Sequence, residues 1–160
     1  LKDQLNIKDD ELNIEGLIID DQATYFFQRG NGQLGKNGII YSEYLGENPT
    51  FKFIPFDLPK IKNIATTFTD AILVEAKIYF LAAAEDTAST YLDGEVLGSI
   101  VGIIDVKTMK LESYLEITNT YKFEGITLFK QSEKEIEFLL CEDNDSEELV
   151  SNIYSLKIKK

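Results

Sequence analysis

Residues 67–86 read Thr67-Phe68-Thr69-Asp70-Ala71-Ile72-Leu73-Val74, then Glu75-Ala76, then Lys77-Ile78-Tyr79-Phe80-Leu81-Ala82-Ala83-Ala84-Glu85-Asp86. Two apolar runs rich in β-branched and aromatic residues flank a short polar turn, and this pattern favours two antiparallel strands. The three consecutive alanines leave a buried helix over 71–86 open as the alternative.

The same pattern occurs twice more, over residues 12–31 and 121–144. Each copy carries, at its fourth position, an acid followed by a tiny residue: Glu15-Gly16, Asp70-Ala71 and Glu124-Gly125. Gly16 and Ala71 are 55 positions apart, and Ala71 and Gly125 are 54 apart. Such regular spacing indicates an internal repeat, and four short strands in about fifty residues are typical of one propeller blade.

The rest of each repeat also has the character of strands. Residues 38–42 and 50–56 complete the first repeat, residues 99–105 and 111–117 complete the second, and residues 151–158 supply a third strand to the last. The sequence therefore predicts an all-β protein, a β-propeller with three four-stranded antiparallel blades over residues 12–58, 66–118 and 121–160. Three blades make half of a six-bladed ring, which the rest of the propeller or a second copy would close. Residues 1–7 are predicted to be a strand of a neighbouring blade, and a strand that closes the last blade of this chain stays open as the alternative.

Composition excludes several classes of function. The formal net charge is −12, which argues against nucleic acids and anionic membrane surfaces. No histidine is present, so Ser-His-Asp and Cys-His catalysis and histidine zinc sites are excluded within the chain. The single cysteine, Cys141, cannot form an intrachain disulfide and is predicted to be a buried structural thiol. No targeting signal is visible and the chain opens with Leu1, which leaves cytoplasm and periplasm both open.

Charged residues recur where the first and second strands of each repeat would meet. In an antiparallel pair the start of one strand lies beside the end of the next, so these residues are expected to share one face of the protein. We expect the metal ligands Glu15, Asp70, Glu124 and Asn144, the ligand-binding residues Arg29, Asn31, Glu142 and Asp143, and the catalytic acids Glu85 and Asp86.

Two explanations of the repeated acids stay open. Three carboxylates near one axis repel each other, and a divalent cation that prefers oxygen ligands, above all Ca²⁺, would neutralise them. Alternatively, each carboxylate accepts hydrogen bonds from backbone N–H groups of the loop that enters its strand, which is a purely structural role.

The chain resembles a bacterial family of six-bladed β-propellers of unknown function, over the C-terminal half of that family. The residues that carry this resemblance are Glu15 to Asp20, Phe27 to Asn31, Phe68 to Ala71, Ala83 to Thr87 and Asp93 to Ser99. The acid-Gly starts are more distantly similar to phytase-like esterases and to gluconolactonase and paraoxonase propellers. That likeness implies a divalent cation held by Glu15, Asp70 and Glu124.

Two functional hypotheses follow. In the first, a bound cation assists hydrolysis of an ester, lactone or phosphoester, with Glu85 or Asp86 as general base and Arg29 holding an anionic group. In the second, the protein is a non-catalytic propeller scaffold that binds a small molecule or a protein.

Overall fold

The computed structural model describes residues 1–30, 36–43, 45–86, 94–143 and 150–160. Within these ranges the chain forms one helical turn, α1 (Lys2–Leu5), and thirteen strands. The strands are β1 (Ile14–Ile19), β2 (Thr24–Gln28), β3 (Gly38–Ser42), β4 (Lys52–Pro55), β5 (Lys60–Ile61), β6 (Ile64–Ala65), β7 (Thr67–Val74), β8 (Lys77–Asp86), β9 (Glu95–Asp105), β10 (Lys110–Thr118), β11 (Lys122–Gln131), β12 (Glu135–Asp143) and β13 (Ile153–Lys159).

The strands form three antiparallel sheets that follow one another along the chain, together with a small hairpin. The first sheet is β1-β2-β3-β4, the second is β7-β8-β9-β10, and the third is β11-β12-β13. The hairpin β5-β6 lies between the first two sheets in sequence. The predicted all-β class is confirmed. The alternative helix over 71–86 is wrong because β7 pairs with residues 77–83 of β8, and the rest of β8 pairs with β9. The third sheet has three described strands, which agrees with the three strands that the sequence of the last repeat supplies to a predicted four-stranded blade.

The first strand of each sheet carries a β-bulge near its start. The extra residue is Glu15 in β1, Thr69 in β7 and Glu124 in β11. The first paired residue after the bulge is Gly16 in β1, Asp70 in β7 and Gly125 in β11. Asp70 is therefore structurally equivalent to the two glycines, and Glu15 and Glu124 are equivalent to Thr69. The sequence alignment of the three acids is wrong by one residue in the second repeat, because a bulge changes which residue meets the neighbouring strand.

The three sheets pack on one another through two apolar cores. Between the first and second sheets, the Phe68 ring lies edge-on to Phe27 and Phe80, with ring centroids 5.3 and 5.1 Å apart. Between the second and third sheets, Tyr79 packs on Phe138 at 4.9 Å. Each fully buried aromatic contributes about 1.5–3 kcal/mol relative to its exposed state. As a result β1 lies beside β7 and β7 lies beside β11.

The N-terminal segment differs from its prediction as a strand. Residues 2–5 form the turn α1, which ends at Asn6 in the left-handed conformation. The Gln4 side-chain amide donates to the Pro49 carbonyl at 2.9 Å and accepts from the Phe51 N–H at 3.0 Å. Lys2, Asp3 and Gln4 offer no apolar alternation for a strand, and a single turn places Gln4 to make both bonds. Among the described residues, no helix is long and apolar enough to cross a membrane.

Candidate functional site

Two cations lie where the three sheets meet at the starts of their first strands. Arg29 follows β2, and its backbone N–H bonds to the Asn13 carbonyl at 2.9 Å, which extends the β1-β2 ladder by one step. Lys122 is the first residue of β11 and pairs with Asp143, the last residue of β12. Glu85, near the end of β8, brings the second sheet to the same place. Each sheet therefore contributes charged residues to one end of the molecule.

These residues form one connected network, which we call the ionic cluster: Arg29, Lys122, Glu15, Glu85, Glu124 and Asp143. The Arg29 guanidinium bonds to Glu85 and lies 3.8 Å from Glu15 and 3.9 Å from Glu124. The Lys122 ammonium lies 2.8 Å from Glu124, 2.9 Å from Glu85 and 3.7 Å from Asp143. Glu85 thus joins both cations, one through each carboxylate oxygen.

The ionic cluster is largely withdrawn from water. The side chains of Lys122, Glu85 and Arg29 are 8%, 14% and 17% exposed. Burial alone lowers the pKa of Lys122, but hydrogen bonds to Glu124 and Glu85 outweigh it and raise that pKa well above its usual value. Burial raises the pKa of Glu124, and the nearby Asp143 raises it further against the opposing effect of Lys122. The lysine is therefore held charged, and the pKa of Glu124 lies above its usual value.

Among the described residues, the ionic cluster contains four carboxylates and two cations. Arg29 and Lys122 relieve part of the repulsion among the acids that the sequence predicted, and the formal charge of these six residues is −2. Lys122 was missed by sequence reasoning. A signal existed, since Lys122 precedes Glu124 by two positions on the same strand.

Asp70 has a different role from the two glutamates. Its carboxylate accepts from the Ala71 N–H and from the Ile126 N–H, both at 2.8 Å, and the second bond joins the second sheet to the third. Burial raises the pKa of Asp70. A Cβ at Gly16 would lie 3.3 Å from an Asp70 oxygen, so this carboxylate is also tight against the first sheet. Asp70 thus bonds to backbone N–H groups, as the structural explanation requires, but the donors lie in its own strand and on the next sheet and not in the loop that enters β7.

Glu142 also lies apart from the ionic cluster. Its carboxylate accepts from the Tyr154 hydroxyl and the Asn152 side-chain amide, both at 2.7 Å, which anchors the start of β13. The bond from Tyr154 lowers the pKa of Glu142, and the same bond raises the pKa of Tyr154 to about 12. Glu142 alternates with its strand neighbour Asp143 across the sheet, so the two acids face different surroundings.

The remaining predicted residues are distributed as follows. Asp86 is exposed at the last position of β8, and Asn31 and Asn144 lie outside the described residues. Cys141 is only partly buried, which differs from its prediction as a buried thiol. In the described part of the chain, no three or more acid or cysteine side chains are grouped as a metal ion would need. The calcium site and the catalytic roles of Glu85 and Asp86 stay predictions.

A comparison with protein-family models identifies the family of the chain. A family model described as "Family of unknown function (DUF6929)" matches residues 1–158. The search of curated proteins found no match. The predicted resemblance to a family of unknown function is thereby confirmed at that level.

Proposed function

We propose a binding function for this chain, which belongs to the DUF6929 family of unknown function. In this proposal the ionic cluster binds a cationic group of a small molecule or of a protein. The observation that carries the proposal is the excess of carboxylates over cations among the six described residues of the ionic cluster, whose central side chains are mostly shielded from water. Where water is scarce, charges interact more strongly than on an open surface. A cation that reaches the ionic cluster is therefore attracted more strongly there than to isolated surface acids.

The proposed architecture is a run of three consecutive propeller blades. Three features support it: the sheets follow the chain in order, their first strands lie side by side, and each first strand bulges at its start. In such an arrangement the first strands line the central axis. The ionic cluster would then surround the opening of the axis, where a ligand can approach from solvent.

The chemistry of the ionic cluster favours an ammonium or guanidinium group as the ligand. Arg29 and Lys122 already hold the acids together through directional hydrogen bonds, and a third organic cation would extend the same pattern. Glu85 and Glu124 bond directly to the two cations, whereas the Glu15 carboxylate lies 3.8 Å from Arg29, beyond hydrogen-bond distance. Glu15 is therefore the residue expected to contact the ligand.

Metal-assisted hydrolysis stays a prediction from the sequence. Glu85 has both oxygens bonded to cations, which opposes its predicted role as a general base. Exposed Asp86 is the remaining candidate for that role. A hydrolase would also need a cation, such as Ca²⁺, in the ionic cluster.

Thermal unfolding with putrescine, arginine amide or Ca²⁺ tests the proposal. At a hundred times its Kd, a ligand adds about 2.7 kcal/mol to stability, which for a chain of this size raises the Tm by roughly 5–10 °C. We expect this shift with the organic cations, and we expect Glu15→Gln to reduce it. Glu116→Gln is the matched control because Glu116 is an exposed acid on β10.

The three probes give distinct outcomes. A shift with Ca²⁺ alone would replace the proposal by a metal site and would justify assays with esters, lactones and phosphoesters. If no probe shifts the Tm, or if the Glu15 and Glu116 variants behave alike, the ionic cluster is a structural network and the proposal is wrong.

A further inference from the structure

We infer that a pocket beside the connection from β3 to β4 is a binding site for the ring of a neutral sugar. The pocket has a volume of about 310 Å³, at the lower end of the range of about 300–1,000 Å³ for small-molecule sites. Five side chains line it, and each carries a hydrogen-bonding group: Tyr41, Glu43, Asn48, Thr50 and Lys52. An aromatic ring among polar groups suits a ligand that has an apolar face and many hydroxyls, which is the chemistry of a sugar ring.

The pocket lies at the opposite end of the first sheet from the ionic cluster. Tyr41 pairs with Tyr25, and Tyr25 pairs with Ile18 near the end of β1. Glu15, which belongs to the ionic cluster, lies at the start of the same strand. The pocket and the ionic cluster are therefore separate sites.

Tyr41 gives the pocket a fixed aromatic wall. It lies on β3 between its two cross-strand partners, Tyr25 of β2 and Lys52 of β4. The buried Tyr25 ring packs against the Tyr41 ring at a centroid distance of 5.5 Å. The Tyr41 hydroxyl donates to the Glu43 carboxylate at 3.0 Å. Because these contacts hold the ring in place, little side-chain entropy is lost when a sugar packs against it.

Most of the hydrogen-bonding capacity of the pocket is available to a ligand. Within the described part of the chain, the side chains of Asn48, Thr50 and Lys52 make no hydrogen bond or ion pair. Lys52 donates, the Glu43 carboxylate accepts, and the Asn48 amide and the Thr50 hydroxyl do both. The hydroxyls of a sugar also donate and accept, so they can replace the bonds that these groups make to water.

The charges around the pocket favour a neutral ligand. Lys52 and Glu43 carry opposite charges, so the formal charge of the five lining residues is zero, unlike that of the ionic cluster. Both side chains are exposed, and water weakens their attraction for an ion. Burial raises the pKa of Tyr41, and Glu43 and Asp20 raise it further, so the phenol stays protonated. Asp20 itself does not line the pocket, and its carboxylate accepts from backbone N–H groups of its own turn.

Saturation-transfer NMR with D-glucose and D-galactose tests the inference on the full chain. We expect saturable binding of at least one of these sugars, with a Kd of about 1–10 mM. Binding should not change when the NaCl concentration rises from about 20 to about 500 mM, because salt does not screen a neutral ligand. Glutamine is the comparison ligand, since a zwitterion would pair with Glu43 and Lys52 and would bind more weakly at high salt.

Variants locate the binding. Asn48→Ala and Thr50→Val each remove hydrogen-bonding groups at exposed positions, and we expect each to weaken sugar binding about two- to tenfold. Asn119→Ala is the matched control, because Asn119 is an exposed asparagine outside the pocket. Tyr41→Leu removes the ring, whereas Tyr41→Phe removes only the hydroxyl, so the leucine variant should bind more weakly. Unchanged urea midpoints for the Asn48 and Thr50 variants show that these proteins are folded.

Three results would overturn the inference. Neither sugar gives a saturable signal, the Asn48 and Thr50 variants both bind the sugar as Asn119→Ala does, or glutamine binds in a salt-dependent way and the sugars do not. The last result would assign the pocket to a zwitterionic ligand. None of the variants changes a residue of the ionic cluster, so the outcome does not depend on the proposed cation site.

Discussion

Replacing Lys122 with methionine tests the ionic cluster as a source of stability. Methionine keeps the apolar stem of the lysine but removes the ammonium that lies within 3.7 Å of Glu124, Glu85 and Asp143. Removal of one partner from a buried ion pair costs about 3–5 kcal/mol because the other charge stays buried and uncompensated. Water reaches Glu124 and Asp143, which are 29% and 38% exposed, and screens part of this cost. We therefore expect Lys122→Met to lower the free energy of unfolding by about 2–4 kcal/mol.

Urea unfolding measures this loss as a lower midpoint at an unchanged slope. In a thermal scan the same loss lowers the Tm by roughly 5–15 °C for a protein of this length. Lys77→Met is the matched control, since Lys77 contacts Asp105 at 3.2 Å and also Glu112, but in a much more exposed setting. The control is expected to lose far less stability because exposed ion pairs are weak.

A double variant separates charge from packing. With Lys122 already replaced, Glu124→Gln removes one of the carboxylates that then repel each other, and we expect it to recover about 1–2 kcal/mol. The reasoning is refuted if Lys122→Met costs no more than Lys77→Met, or if Glu124→Gln further destabilises the Lys122→Met protein. Either result would mean that the ionic cluster is open enough to water for its charges to be screened.

Three more predictions follow from other contacts. Asp70→Asn should lower the free energy of unfolding by about 1–3 kcal/mol, measured with urea. The Ala71 and Ile126 N–H groups bond to different oxygens of Asp70, and asparagine keeps only one of these oxygens. An unchanged midpoint would contradict the inter-sheet role. Gly102→Ala should destabilise the protein by about 1–3 kcal/mol because the new Cβ would overlap the buried Phe80 ring. Gly16→Ala should destabilise it less, because the nearest atom to the new Cβ lies at 3.2 Å. The reverse order would refute this account of the packing. Hydrogen bonds from Thr108 and a contact with Lys77 lower the pKa of Asp105 from 3.8 to about 2, so its stabilising effect is present above pH 4 and is lost as the pH falls toward 2. Asp105→Asn should therefore flatten the acid limb of the stability profile, and an unaltered profile would count against this effect.

The sequence was sufficient for features that depend on local chemistry. Strands β7 and β8 follow from β-branched and aromatic residues on either side of a two-residue turn, even though three alanines precede Glu85. The repeat spacing located the starts of all three first strands, and the prediction that these starts meet the ends of the second strands is correct for the Lys122-Asp143 pair. The position of the charged site could be predicted because antiparallel pairing alone places those ends together.

Two features of the site depended on the direction in which each side chain points. A one-residue bulge in each first strand places Glu15 and Glu124 in the ionic cluster and leaves Asp70 bonded to backbone N–H groups, although all three acids look equivalent in sequence. Glu142 and Asp143 are adjacent, but only Asp143 joins the ionic cluster because successive strand residues face opposite sides.

What the sequence determined by itself was the all-β class, the repeat and the end of the molecule at which charge collects, because strand propensity and pairing direction are local properties. Only the tertiary structure decided which charges neutralise each other. Arg29, Glu85 and Lys122 come from three different sheets, and the contact between Arg29 and Glu85 spans 56 positions of the chain. Such partners are chosen by how the sheets pack and by where each bulge shifts the register, and neither is visible in the spacing of the repeat.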